Sequence, residues 1–297
     1  MSKRGQIQKH LETLKDIGGI MGAMKNISLM ETHKLASFLT HQHRVLSGIE
    51  EIAADFLAHH PEIGYSSGIE ASGIVVAIGS QRGFCGDFNQ TLVQALRQHW
   101  REAEVKPSKL LVVGRRLAAK LDHEPHITTV FDGPSVAEEV RPVLRHLMDA
   151  LGELHAEDKG RLLTISLFAH QEEESFVGVR SIVPSPMPGR HVVPRFSFPP
   201  LLNVAASAFF SELARHYLWA QMHDVFYSSL MAENRRRLQH MEGAMQRMEE
   251  KGGELQRKYN LLRQEEITEE IEIIMLSNDA LQQSRRPKPA STNPEVH

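Results

Sequence analysis

Residues 238–262 read LQHMEGAMQRMEEKGGELQRKYNLL. Leu238, Met241, Met245, Met248, Gly252, Leu255, Tyr259 and Leu262 follow one another at alternating steps of three and four. A repeat averaging 3.5 residues keeps one seam of a helix facing a partner and predicts a left-handed coiled coil. Polar residues fill the other faces, with Arg235-Arg236-Arg237 just before the seam and Glu249-Glu250-Lys251 inside it. Methionine at three seam positions makes the contact soft and adaptable. No proline interrupts residues 203–281, and the stripe continues through Ile267, Ile271, Ile274 or Met275, and Leu281. One long C-terminal helix is therefore expected over 203–281. Residues 282–297, with three prolines and no aromatic residue, read as a disordered tail.

The start of the chain mirrors its end. No proline precedes Pro61, and apolar residues recur at helical spacing: Ile7, Leu11, Leu14, Ile17, Ile20 or Met21, Met24, Ile27, then Leu35, Phe38, Val45, Ile49, Ile52 and Phe56. A helix over most of residues 1–60 would be roughly 85 Å long at 1.5 Å per residue. A compact domain of this chain length is only about 40 Å across, so the helix should project from any globular part. Gly18-Gly19 is its weak point, since each glycine costs about 1 kcal/mol relative to alanine. Neither terminal helix would be stable alone with so much apolar surface on one side. The economical arrangement winds them on each other antiparallel.

Between them, over about residues 68–200, the period changes. Ser72-Gly73-Ile74-Val75-Val76-Ala77-Ile78-Gly79 is a β-branched run bounded by glycine, as a buried strand would be. Leu110-Leu111-Val112-Val113-Gly114 and Leu162-Leu163-Thr164-Ile165-Ser166-Leu167-Phe168 read as two more strands. Helical stretches from Asn89 to about Ala103 and from Val136 to about Leu154 separate them. Alternating strands and helices imply a parallel sheet with crossovers. Phe176-Val177-Gly178-Val179-Arg180-Ser181-Ile182-Val183 reads as an antiparallel partner of the third strand. The fold class is thus α+β overall: a long antiparallel coiled coil of the two terminal helices with an inserted α/β, Rossmann-like domain.

Composition narrows the function. The 297 residues include 41% hydrophobic and 24% charged residues, enough apolar material for a core. Lys+Arg number 34 and Asp+Glu 37, a net charge of −3, which does not suit a protein that grips nucleic acid through phosphates. No apolar run approaches the length of a membrane span, and no secretory signal follows the basic N-terminal residues. Cys85 is the only cysteine, so neither an internal disulfide nor a cysteine-based zinc site can form.

Other features admit a sharp and a plain reading. Gly79-x-x-x-Gly83-x-x-Gly86 follows a strand and opens a helix, but it matches neither dinucleotide nor Walker patterns and reads as a tight turn. His41 with His43, and His59-His60, lack the i,i+4 spacing that helical metal ligands need. No metal, cofactor or catalytic residue is expected. The three consecutive arginines span most of a helical turn and cannot share one surface; they suit either a solvated face or an acidic partner. By spacing alone Arg263 and Gln264 are an exposed helix face, and Ile267, Ile271 and Ile274 are equally helix-pair core.

Four stretches together resemble the gamma subunit of F-type ATP synthases. Tyr259-Asn260-Leu261-Leu262-Arg263-Gln264-Glu265-Glu266-Ile267-Thr268 resembles that family's C-terminal signature, and Met231-Ala232-Glu233-Asn234 is similar to the Ala-Ser-Glu-Asn that precedes it. Gln81-Arg82-Gly83-Phe84-Cys85-Gly86-Asp87-Phe88-Asn89 is similar to the family's turn after its first strand, and Ile20-Met21-Gly22-Ala23-Met24 to its N-terminal helix. The resemblance implies a central-stalk rotor without catalysis of its own. Its partners would be the alpha, beta, epsilon and c subunits, and its place peripheral, on the cytoplasmic face of a bacterial inner membrane. It also implies that Met24, Arg263, Gln264 and Thr268 contact beta, that Ile267, Ile271, Ile274 and Met275 form a bearing tip, and that Phe196 and Phe198 lie on the c-ring side of the foot. Gly18-Gly19 and Gly22 stand where the family commonly has lysines, and Pro199 replaces an acidic residue. These departures suggest a divergent branch, such as an alternative F-type complex. The competing readings are a structural coiled-coil adaptor, which would form a homodimer through its seam, and a nucleotide-dependent enzyme with a coiled-coil arm.

Overall fold

The computed structural model describes residues 3–63, 72–102, 109–122, 124, 127–157, 163–171, 177–183 and 198–284. Helix α1 runs unbroken over Lys3–His59. Strand β1 (Ser72–Ile78) leads to α2 (Phe88–Glu102), and β2 (Lys109–Val113) to the single turn α3 (Arg115–Ala118). Strand β3 (Ile127–Phe131) precedes a 3-10 turn (Ala137–Glu139) and α4 (Val140–Glu157). Strands β4 (Leu163–His170) and β5 (Val177–Val183) follow, then α5 (Ala206–Ser284), one helix of 79 residues. It ends three residues inside the stretch expected as tail; residues 285–297 lie outside the described residues.

The sheet order is β3-β2-β1-β4-β5. Strand β1 pairs in parallel with β2 and β4, with Val76 opposite both Leu111 and Leu167. Strand β3 extends the parallel set beside β2, and β5 closes the other side antiparallel to β4. The expected strands and the hairpin partner are all present. Strand β3 and α3 were not anticipated. The reason for β3 is its position: Thr128, Thr129 and Val130 are exposed on an edge strand, so neither a solid apolar run nor an alternation marks it.

A strand buried on both faces needs a continuous apolar run, and β1 supplies one. Ile74, Val76 and Ile78 point into a core shared with Val140, Leu144 and Leu147 of α4, Leu35 and Leu39 of α1, and Met222, Phe226 and Met231 of α5. Val75 and Ala77 point the other way, onto Leu92, Val93 and Leu96 of α2 and Leu117 of α3. One face of the sheet therefore packs on the two long helices and α4, and the opposite face on α2 and α3.

The chain forms two compact units, Ala23–Glu242 in one and Met1–Gly22 with Gly243–His297 in the other. In the first, Lys25 pairs with Glu242 at 2.8 Å, Gln42 Nε2 donates to the Ala220 carbonyl at 2.8 Å, and Tyr217 Oη donates to Glu50 at 3.1 Å. Phe56 packs its ring against Phe209 and Phe210. In the second, Arg4 pairs with Glu266 at 2.9 Å. Residues 238, 241, 245, 248, 252, 255, 259 and 262 are buried or half-buried, so the seam read from the sequence is the covered stripe of α5.

On α1 the stripe needs correction. Ile17, Ile20, Ile27, Phe38, Val45 and Ile52 are all exposed. The covered line instead passes through Leu11, Leu14, Gly18, Met21, Ser28, Leu35, Leu39 and Gln42. Small and polar residues occupy several covered positions, so choosing positions by hydrophobicity alone tracks the neighbouring face. Among the described residues, no helix is long and apolar enough to cross a membrane.

Candidate functional site

In open α/β sheets, ligands bind outside the carboxyl ends of the strands, where the strand order reverses. Here that reversal lies between β1 and β4. The turn after β1 meets α5 here. Its backbone is specialised: Phe84 and Gly86 both have positive φ, 64° and 59°. Gly79 is required by close approach, because a Cβ there would stand 2.4 Å from Leu117 Cβ and 2.7 Å from Asn89 Oδ1. Asn89, buried at the start of α2, accepts from Ser80 N at 3.0 Å and donates to Ser80 Oγ at 2.7 Å, which closes the turn on itself. Gln81 Oε1 accepts from Arg115 N at 3.1 Å and Gly133 N at 2.8 Å, tying the turns after β1, β2 and β3 together.

Helix α5 docks on this turn through residues 231–237. Cys85, Phe88 and Ala232 form a small buried cluster. Arg237, only 6% exposed in its side chain, is ion-paired to the equally buried Glu233 one turn earlier. It also donates from Nη1 to Asn234 Oδ1 at 2.9 Å and from Nε to the Gly83 carbonyl at 3.2 Å. Arg236 Nη1 reaches Asp87 Oδ1 at 3.3 Å. The arginine triplet thus splits: Arg237 is buried, Arg236 half-buried and Arg235 exposed, as consecutive helical positions must diverge. Two of the stretches that carried the family resemblance, far apart in sequence, are one structural joint.

Burial sets the electrostatics of this joint. It pushes the Glu233 carboxyl up to about 7, while the Arg237 guanidinium pulls in the opposite direction. Burial likewise raises the Cys85 thiol, which sits 3.3 Å from Ser80 Oγ. The buried His170 is held below the usual histidine range by desolvation; its Nε2 lies 2.8 Å from the Phe88 carbonyl, and its ring stacks on Phe88 with centroids 4.0 Å apart. These polar groups find their partners in one another and in the backbone, which ties α5 to the turn after β1.

The other expected residues fall in different places. Met24 is half-buried and lines a small cleft with Ser28, Glu31, Arg82, Asn234 and Arg237. Arg263, Gln264 and Thr268 are exposed on α5, and Thr268 Oγ1 donates to the Gln264 carbonyl at 2.9 Å. Met24 belongs to one compact unit and those three to the other. Ile267, Ile271, Ile274 and Met275 are 45%, 52%, 64% and 65% exposed, so within this chain they are not helix-pair core. Ile273 and Leu276, not singled out from the sequence, are as bare at 66% and 70%. Their off-stripe spacing hid them, but it also means that apolar groups surround the helix. Phe198 is 81% exposed, and Phe196 lies outside the described residues. Among the described residues, no group of three or more His, Cys, Asp or Glu could hold a metal ion.

Comparison with known proteins places this architecture. The model of the ATP synthase family matches residues 3–281. The chain is 22% identical over 284 residues to an ATP synthase gamma chain of Clostridium perfringens, covering 91% of this chain and 95% of that one. It is 24% identical over 170 residues to the gamma chain of Rickettsia felis, covering 52% and 58%. Among solved structures, it resembles a chain of the Euglena gracilis mitochondrial ATP synthase OSCP/F1/c-ring assembly, with a TM-score of 0.61, 12% identity and 98% of both chains covered. A chain of the Tetrahymena thermophila central stalk and c-ring matches with a TM-score of 0.50 and 14% identity over 76% of this chain and 99% of that one. The matched family residues run through both long helices and the sheet between them, and the chain belongs to the ATP synthase gamma-chain family.

Proposed function

We propose that this chain is the central-stalk rotor of an F-type ATP synthase, a non-catalytic subunit that couples rotation of the c ring to conformational changes at the catalytic beta subunits. The observation that carries this reading is the single core shared by the sheet and both long helices. Leu35 and Leu39 of α1, Phe226 and Met231 of α5, and Val76, Leu111 and Leu167 of the sheet pack together. A foot built into the shaft in this way cannot swivel on it, because close-packed interiors resist deformation. Torque applied to the foot therefore reaches α5.

In this reading α1 and α5 wind antiparallel. Support comes from contacts in which rising α1 numbers meet falling α5 numbers: Lys25 with Glu242, Gln42 with Ala220 and Glu50 with Tyr217. The foot corresponds to the segment expected over residues 68–200, and the shaft helices are α1 (Lys3–His59) and α5 (Ala206–Ser284). Met24, Arg263, Gln264 and Thr268 serve as contacts to beta, where the exposed Arg263 can donate a bidentate pair to a carboxylate. Ile267, Ile271, Ile274 and Met275, joined by Ile273 and Leu276, form a tip that turns in an apolar sleeve. Their exposure on all sides of the helix suits a bearing better than a fixed interface. The exposed Phe198 lies on the c-ring side of the foot. The partners are the alpha, beta, epsilon and c subunits, and the chain is held peripherally at the cytoplasmic face of a bacterial inner membrane through that complex.

The test is a pull-down of the tagged chain from its native membranes, with bound proteins identified and ATPase activity assayed. Recovery of alpha and beta in excess over this chain, with activity, is expected. Recovery of the chain alone, or as a homodimer, would sink the rotor reading and leave a coiled-coil adaptor.

A further inference from the structure

Helices α1 and α5 carry glycines where nothing around them requires one. Gly18, Gly19 and Gly22 lie well inside α1, and Gly252 and Gly253 well inside α5. Beyond the adjoining backbone of its own helix, a Cβ built at any of these five would meet no atom within 4 Å. None has a positive φ, and none caps a helix end. Close approach, left-handed backbone and capping are the usual reasons for glycine, and none applies. Each glycine nevertheless weakens its helix roughly fivefold relative to alanine.

The positions match across the two helices, which belong to one compact unit here. Arg4 pairs with Glu266 at 2.9 Å. Two heptads inward along each helix lead from Arg4 to Gly18 and from Glu266 to Gly252. Independently, half-burial runs through residues 4, 7, 11, 14 and 18 of α1 and residues 252, 255, 259, 262 and 266 of α5. Both glycines are therefore covered positions at one level. That layer receives a side chain from neither helix, whereas Met21 and Met248 fill the layer on one side and Leu14 and Leu255 the layer on the other. Gly19 and Gly253 add exposed backbone beside it.

We propose that this double-glycine level is a compliant joint in the helix pair, where both helices open and bend more readily than the turns flanking it. The inference rests on the antiparallel pairing proposed above. A twist applied to the pair would concentrate there, because local softness arises where side-chain contacts are few and backbone hydrogen bonds are exposed to water.

Amide hydrogen exchange of the full chain, read by mass spectrometry, tests it. Residues 15–22 and 249–256 should exchange about tenfold or more faster than residues 7–14 and 257–264. Replacing the outward pair, Gly19→Ala with Gly253→Ala, should slow that exchange about fivefold in each helix without touching the covered layer. Gly18→Ala with Gly252→Ala should do the same from inside. Uniform protection along both helices, or unchanged exchange in the outward double variant, would overturn the joint. A disulfide formed between Leu11→Cys and Tyr259→Cys reports the pairing separately. Failure to cross-link would overturn the pairing and the joint with it, whereas cross-linking with uniform protection would overturn the joint alone.

Discussion

Replacing Arg237 by methionine tests whether α5 is mounted on the sheet by its buried polar joint. The substitution keeps an unbranched stem but removes the guanidinium. Two contacts lose their donor, the half-buried Gly83 carbonyl and the buried Asn234 Oδ1. At roughly 1–1.5 kcal/mol each, the loss is about 2–3 kcal/mol wherever Glu233 is protonated. Truncating a buried ion pair otherwise costs about 3–5 kcal/mol, but Glu233 can escape that cost by binding a proton. Its carboxyl is already raised to about 7. A raised carboxyl contributes stability that is fully present below its unfolded value and is lost as pH rises through the folded one. In the native chain that decline therefore ends near pH 7. In Arg237→Met the carboxyl rises further, so the decline continues by about 1.4 kcal/mol per pH unit. Urea unfolding of the full chain, followed by circular dichroism, should show a deficit of about 2–3 kcal/mol near pH 5.5, growing to about 4 kcal/mol near pH 8. Glu233→Gln, which cannot ionise, should flatten the native profile. A deficit under about 0.5 kcal/mol, or one independent of pH, would refute the buried ion pair as the mount.

Four further outcomes follow from the same structure. Phe226→Ala removes a fully buried ring from the core shared by the sheet and both helices; it should cost about 3–5 kcal/mol in urea unfolding. Gly114→Ala places a Cβ 2.6 Å from the Gly79 carbonyl oxygen at a φ of 103°. Its cost should exceed the roughly 1 kcal/mol that a Gly-to-Ala change can contribute at a compatible site, visible as a lower melting temperature. Ile271→Asp with Ile274→Asp changes side chains that are 52% and 64% exposed. The melting temperature of the isolated chain should stay within the small range of ordinary surface substitutions, while ATP-driven ion pumping by the reconstituted complex falls; truncation after Leu262 should likewise weaken coupling more than assembly.

Much of the architecture was legible in the residues themselves. The apolar runs at Ile74, Leu110 and Ile165 announce strands because a strand buried on both faces has no polar alternative, and sheet pairing bears this out. The 3-4 spacing from Leu238 to Leu262 coincides with the covered stripe of α5, because a helix of fixed pitch leaves few ways to hide those residues. Less could be read where burial is decided by neighbours. Strand β3 is an edge strand whose exposed centre carries no periodic signal. The stripe on α1 passes through Gly18, Ser28 and Gln42, so its apolar residues at 17, 20 and 27 mislead.

The joint around Arg237 shows the same division most clearly. Three consecutive arginines determine only that their side chains diverge, since successive helical positions lie about 100° apart. Which of them is buried depends on the turn after β1, about 150 residues earlier in the chain, arriving beside α5 with the Gly83 carbonyl pointed at it. Local sequence determined helix, strand and seam, because hydrogen-bonding period and side-chain geometry act between near neighbours. Tertiary structure alone decided that Glu233 and Arg237 are buried and that Ile273 and Leu276 are left bare, because exposure is set by whatever long-range packing brings against a surface.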